Sequence, residues 1–192
     1  MKIELPQPYP FLAPIPAAVI TVASEKFGDN LLTLAWVGVV ASDPPQVSIA
    51  IRPTGRHSYK IIRDNGEFGV NIADEKLAKA VDICGTLHGD KYDKWKESGL
   101  TRMEAKKIKV PLVEEFPINL ECIVRHRLEL GSHDLFIGEV VATHISETIF
   151  TDGKIDISKL KPLGYIPNSI GYFGLNTDKF LGEYGFTLKR EK

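Results

Sequence analysis

The sequence predicts a mainly β domain with short helices, an α+β chain built round a closed antiparallel barrel. Three observations predict it. Short β-branched runs recur along the chain, separated by Gly, Pro, Asn and Asp. Helical spacing appears only briefly, near 57–66, 75–85 and 90–99. No repeat, low-complexity tract or linker divides the 192 residues. That length suits one domain over 1–192, able to bury roughly 70% of its unfolded surface without staples.

Residues 1–16 read as a Pro-rich arm. Residues 5–24 carry no charge over about the length of a membrane span. Pro6, Pro8, Pro10, Pro14 and Pro16 remove backbone donors there, so a spanning helix is excluded. A signal-peptide pattern is absent too. Net charge is −1, which gives neither nucleic acid nor an anionic membrane an electrostatic handle. Cys84 and Cys122 form no CxxC pair and no disulfide framework, so a reducing cytoplasm is the expected compartment.

Residues 17–24 form a β-branched strand, and "EKFGDN" turns the chain into a second, at 31–41. "DPP" stops that strand, because neither proline can donate to a ladder. A third strand alternates over 46–51. Tyr59, Ile61 and Ile62 then fit one short helix that starts near His57 or Ser58 and ends at Gly66. A strand follows at 68–73. Leu77, Ala80, Val81 and Cys84 mark a second helix stopped by Gly85, and a third ends at Gly99. Over 118–146, Leu120, Cys122 and Val124 alternate with Glu121, Arg125 and Arg127, and "GSHD" turns a hairpin. His126 and His144 fall at solvent-facing positions of it. From 162 to 192 the chain is a Gly-rich, aromatic arm.

Several chemistries lack their motifs. There is no G-x-G-x-x-G after a strand, no P-loop, no G-x-S-x-G and no H-E-x-x-H. Cys84 and His88 are four apart, but Cys122, His126 and His133 complete no zinc spacing, so no metal is expected.

One stretch does suggest chemistry. "IRPTGRHSYK" places Ile51, Arg52, Thr54, Gly55, Arg56, Ser58 and Lys60 at a helix start. Cations, hydroxyls and unsatisfied N–H groups there suit a phosphate, although a solvated surface loop has the same composition. Just upstream, Thr33 and Ala35 share a strand face, with Trp36 on the other unless a bulge intervenes.

Residues 33–72, "TLAWVGVVASDPPQVSIAIRPTGRHSYKIIRDNGEFGVNI", resemble the flavin reductase-like family of FMN-binding split barrels, which includes flavoredoxins. "CGTLHGDKYDKWKESGL" and "GSHDLFIGEVV" resemble two later pieces of that family, in the same order. The resemblance implies a Greek-key split β-barrel with FMN as cofactor. It implies that Thr33, Leu34, Ala35 and Trp36 line the FMN ring and ribityl chain, and that Ile51 and Arg52 continue along it. Arg56, Ser58 and Lys60 would receive the phosphate; Cys84, Gly85 and Thr86 would form a turn near the cofactor, with Lys94 at a matching "DK". His133 matches the histidine beside the flavin, where nicotinamide would stack. Two positions depart from the family, His88 before Gly89 and Ser132 in the hairpin turn.

Three functions remain open at this level. The first is an NAD(P)H-dependent flavin reductase, with NADH or NADPH as electron donor. The second is a flavoredoxin-type carrier that exchanges electrons with a redox partner protein. The third is a non-redox module that binds a phosphorylated ligand. The resemblance also implies a homodimer. The aromatic arm with Tyr172, Phe173, Phe180, Tyr184 and Phe186 then reads as a strap over the partner subunit.

Overall fold

The computed structural model describes residues 1–168, 171–175, 177 and 181–182. Residues 1–14 are exposed and form neither helix nor strand. They lead into β1 (Ile15–Pro16) and β2 (Ala18–Ser24). Gly28, at φ 70°, turns the chain into β3 (Gly28–Leu34), which pairs with β2 from Ala18↔Leu34 to Ser24↔Gly28.

The strand expected over 31–41 is two strands. β3 ends at Leu34, and β4 (Val37–Ser42) begins after a break at Ala35 and Trp36. The Val37 N–H turns back to the Ala35 carbonyl at 3.0 Å, while the Ala50 N–H reaches the Trp36 carbonyl at 3.0 Å. The two halves therefore pair with different neighbours, β3 with β2 and β4 with β5 (Pro45–Ile51). Periodicity cannot see this break, because both halves are equally apolar.

After β5 come α1 (His57–Asn65), ended by Gly66 at φ 74°, and β6 (Glu67–Ile72). A short 3-10 turn precedes α2 (Ala78–Thr86). Asp93 caps α3 (Lys94–Ser98) by accepting from the Trp95 and Lys96 N–H groups, and Gly99 ends it. The helix expected over 90–99 is thus five residues long. β7 (Arg102–Met103) and β8 (Leu112–Val113) form a small ladder across the barrel wall. The long hairpin of β9 (Ile118–Glu129) and β10 (Asp134–Ile145) follows. β11 (Phe150–Thr151) pairs with β12 (Lys154–Ile155). β13 (Leu163–Ile166) pairs with β1 and with β14 (Gly171–Gly174).

The main sheet runs β3-β2-β6-β9-β10-β5-β4. Its two edges, β3 and β4, are consecutive in the chain, joined only by Ala35 and Trp36. A seven-stranded sheet whose edges lie two residues apart must curl into a barrel. The closed ladder expected from sequence is not made: among the described residues no hydrogen-bonded pairing joins β3 to β4, and the barrel is closed by the chain itself. The split lies at Ala35–Trp36.

Ile20, Ile49, Ile61, Ile62, Phe68, Cys122 and Phe136 fill the barrel and its junction with α1. Val19, Leu31, Val81, Cys84, Trp95 and Phe116 form a second cluster under α2 and α3. β2 and β3 are therefore buried on both faces, which explains their continuous apolar runs.

Two hairpin expectations are corrected. Glu121 keeps its place on the face opposite the core-facing Leu120 and Cys122, but it is fully buried rather than solvent-facing, because residues 106–108 cover that face and donate to its carboxylate. His144 is turned inward onto it, with Nε2 2.6 Å from Glu121 Oε1. Gly85 does not stop α2; it lies inside the helix, which runs on to Thr86. No helix among the described residues is long and apolar enough to cross a membrane.

Candidate functional site

A cleft of about 430 Å³ opens at the split of the barrel. The break between β3 and β4 supplies Thr33, Leu34, Ala35 and Trp36 as one wall. An unbroken strand would have turned alternate residues away; the turn at Ala35 lets all four reach the same space. Ala50, Ile51 and Arg52 come from the end of β5, and Arg56 from the N-cap position of α1. Gly85 and Thr86 come from the end of α2, and His133 from the β9–β10 turn.

The charged part of the lining is cationic. Neither Arg52 nor Arg56 joins an ion pair among the described residues. No side chain caps α1 and no acidic residue lies in its first turn; the Tyr59 N–H bonds back to the Arg56 carbonyl at 3.1 Å, which leaves the N–H groups of His57 and Ser58 without a side-chain partner. Burial and the charges of Arg52 and Arg56 hold His133 below its ordinary value. Ser132 Oγ lies 2.9 Å from His133 Nδ1. The lining is also aromatic. Trp36 lies parallel to His133, while Tyr165 and Tyr172 meet edge to face with centroids 5.6 Å apart. Burial and the neighbouring Asp82 carboxylate push Tyr172 up to about 12, so it stays protonated.

α2 forms the floor by close approach to β3. The Thr33 hydroxyl donates to the Val81 carbonyl. A Cβ on Gly85 would come within 3.2 Å of the Thr33 Cβ. This is why a glycine sits inside that helix.

Ten of the fourteen residues singled out from sequence line this cleft: Thr33, Leu34, Ala35, Trp36, Ile51, Arg52, Arg56, Gly85, Thr86 and His133. The other four lie elsewhere. Ser58 is buried and accepts from the Asn30 side-chain amide at 2.8 Å. Lys60 is exposed on α1. Cys84 is buried beneath α2, and burial pushes its thiol up to about 11. Lys94 is buried, donating to the Leu31 and Cys84 carbonyls at 2.8 and 2.7 Å, and thereby ties the end of α2 to β3.

Sequence reading did not place Ala17, Ala50, Tyr165 or Tyr172 at the site, and they complete the lining. The tyrosines arrive through pairing of β1, β13 and β14, a contact between distant parts of the chain. Tyr172 and Phe173 belong to β14, folded against their own subunit; Phe180, Tyr184 and Phe186 lie outside the described residues.

Comparison with known proteins agrees with this geometry. The flavin reductase like domain family matches residues 12–173. An uncharacterized protein of Archaeoglobus fulgidus is 36% identical over 159 residues, covering 82% of this chain and 87% of that protein. A flavin reductase (NADPH) of Lentzea aerocolonigenes is 28% identical over 133 residues, 67% of this chain and 72% of that one. The structure of a flavoredoxin of Desulfovibrio vulgaris (Miyazaki F) superposes with a TM-score of 0.86 at 28% identity, covering 95% and 97% of the two chains. The fold is the split barrel of these proteins, and the chain belongs to the flavin reductase-like domain family.

Proposed function

We propose that the cleft binds FMN and that the protein is an NAD(P)H-dependent flavin reductase. One observation carries the reading. A single cleft joins two guanidinium groups that form no ion pair among the described residues, beside a helix N-terminus with no side-chain cap, to an apolar wall of Leu34, Ala35 and Trp36. That donor set fits a phosphate of nearly two negative charges attached to a flat ring system. Arg52 and Arg56 would hold the phosphate oxygens, and the indole of Trp36 would cover the ring.

Bound FMN supplies hydride acceptance and onward electron transfer. The protein orients it and limits water. Thr33 has its proton committed to Val81, so its oxygen can only accept from a ligand. His133, held below its ordinary value, is neutral near pH 7 and presents a flat uncharged ring at the mouth.

A second reading, a flavoredoxin-type carrier, is favoured by the likeness to flavoredoxin along 95% of the chain. Anaerobic mixing of the FMN-loaded protein with NADH and with NADPH separates the two. Rapid loss of the flavin's visible absorbance supports the reductase. Retained colour with both donors, together with reduction by a protein donor, leaves the carrier. Failure to bind added FMN would leave only a non-redox phosphate-ligand module.

A further inference from the structure

The β9–β10 hairpin carries a buried charge beside the cleft but outside its lining. Asp134 directly follows His133 and is 3% exposed, yet it does not line the cleft. Its Oδ2 accepts from the Tyr59 hydroxyl at 2.6 Å and from Arg127 Nε at 2.8 Å, with Arg127 Nη2 2.7 Å away. Tyr59 is buried too. Its ring meets Phe136 edge to face with centroids 5.9 Å apart, and the Arg127 guanidinium lies 5.8 Å from its centroid. The Tyr59 hydroxyl first, and then Arg127, hold the Asp134 carboxyl below its ordinary value against the opposing effect of burial. The carboxylate is therefore ionised near pH 7.

A buried carboxylate is a costly way to fill space, since desolvation takes back much of what its ion pair gains. What it adds over apolar packing is direction, because its hydrogen bonds fix the groups that donate to it. Here they fix two walls of the cleft. α1 packs mainly on β2 and β3, and among the described residues no other side-chain hydrogen bond joins it to β9 or β10. Tyr59 lies in the first turn of α1, where its N–H bonds to the Arg56 carbonyl. Asp134 pairs with Ile51 of β5, the residue before Arg52. One hydroxyl thus ties the helix that presents Arg56 to the strands that present Arg52 and His133, and all three of these line the cleft.

A flavin phosphate must reach Arg56 while its ring rests on Leu34, Ala35 and Trp36. Two contacts made by one ligand reinforce each other only when their separation matches it. We propose that Tyr59 and Asp134 are positioning residues, which hold Arg56 at the distance a phosphorylated flavin requires and so make the cleft prefer FMN to riboflavin. This role rests on FMN being the ligand of the cleft, and it adds the residues that set selectivity for the phosphate. Neither side chain lines the cleft; both act through the placement of Arg56.

The test titrates FMN and riboflavin, followed by flavin fluorescence, into the full chain and into Tyr59→Phe, Asp134→Ala and Asp134→Asn. The unaltered chain should bind FMN more tightly than riboflavin. Tyr59→Phe loses only a hydroxyl, and it should shrink that preference roughly fivefold or more while riboflavin affinity stays within about twofold. Asp134→Ala should act in the same direction. Asp134→Asn should recover part of the preference, because its amide oxygen can still accept from Tyr59. An unchanged preference in Tyr59→Phe overturns the positioning role, and so does equal weakening of both flavins, which marks a general loosening. Either result leaves FMN binding by the cleft standing. A chain that binds neither flavin overturns the assignment of the cleft and the positioning role with it.

Discussion

The Trp36 indole and the His133 imidazole lie within 4° of parallel, their centroids 6.0 Å apart, at the mouth of the cleft. One ring precedes β4 and the other precedes β10, so the stack forms only because β5 pairs with both strands. Such aromatic pairs contribute about 0.5–1.5 kcal/mol. A flavin ring stacked on the indole would gain a similar amount, so Trp36→Ala should weaken FMN binding by a few-fold to about tenfold, while the 41% exposure of the indole keeps the loss in melting temperature small. Fluorescence titration beside a thermal melt checks both halves.

Gly85 predicts a different pattern. Its Cβ-free backbone lets α2 rest on Thr33, so Gly85→Val must push the helix away or displace Thr33. Overpacking of this kind costs about 1–3 kcal/mol. Denaturant unfolding should show that loss, together with weaker FMN binding, because Thr33 and Gly85 line the cleft together.

Lys94 makes stability depend on pH in the alkaline range. Burial first, and then Arg56, pull its ammonium from 10.5 down to about 8, with Cys84 opposing. A depression of that size corresponds to about 3 kcal/mol of cost for holding the charged form. Between about 8 and 10.5 the unfolded chain keeps a proton that the folded chain has released, so stability rises with pH across that window. Lys94→Met removes the rise and leaves the Leu31 and Cys84 carbonyls without their donor. Urea unfolding should find the variant more strongly destabilised near pH 9.5 than near pH 7.

Glu121 acts at the acid end. It accepts from the N–H groups of Lys106, Lys107 and Ile108 at 2.8, 2.6 and 3.1 Å, and His144 lies against it. Burial pushes its carboxyl up, but the Lys106 N–H, His144 and the two further N–H groups more than offset this and hold it below 4.5. Its contribution is present above that ordinary value and is lost as pH falls through the lower folded one. Glu121→Gln should cost about 1.5–3 kcal/mol, the range for hydrogen bonds to a charged group. Amide exchange at residues 106–108 should accelerate; unchanged protection there would contradict the assignment.

How far the sequence could be read depended on whether a feature was local. Gly66 and Gly99 ended their helices as expected, because a left-handed residue is a property of a few neighbours. The break at Ala35–Trp36 was hidden, since only the pairing of β3 and β4 with opposite sheet edges reveals it. Gly85 was legible as a glycine but not as a contact, for its neighbour Thr33 is 52 positions away. Glu121 obeys strand alternation, and its burial was hidden because the segment that covers that face, residues 106–108, comes from another part of the chain. Arg52 and Arg56 were found through a motif, whereas Tyr165 and Tyr172 came from a segment with no recognisable pattern.

The most direct test of the central claim is an FMN titration of the purified protein, followed by visible absorbance and flavin fluorescence, beside Arg52→Ala and Arg56→Ala. Saturable one-to-one binding is expected, with each substitution weakening it by about 1–3 kcal/mol, as loss of a charge-assisted hydrogen bond requires. No binding by the unaltered chain, or the same affinity in both variants, would contradict the assignment of the cleft to FMN.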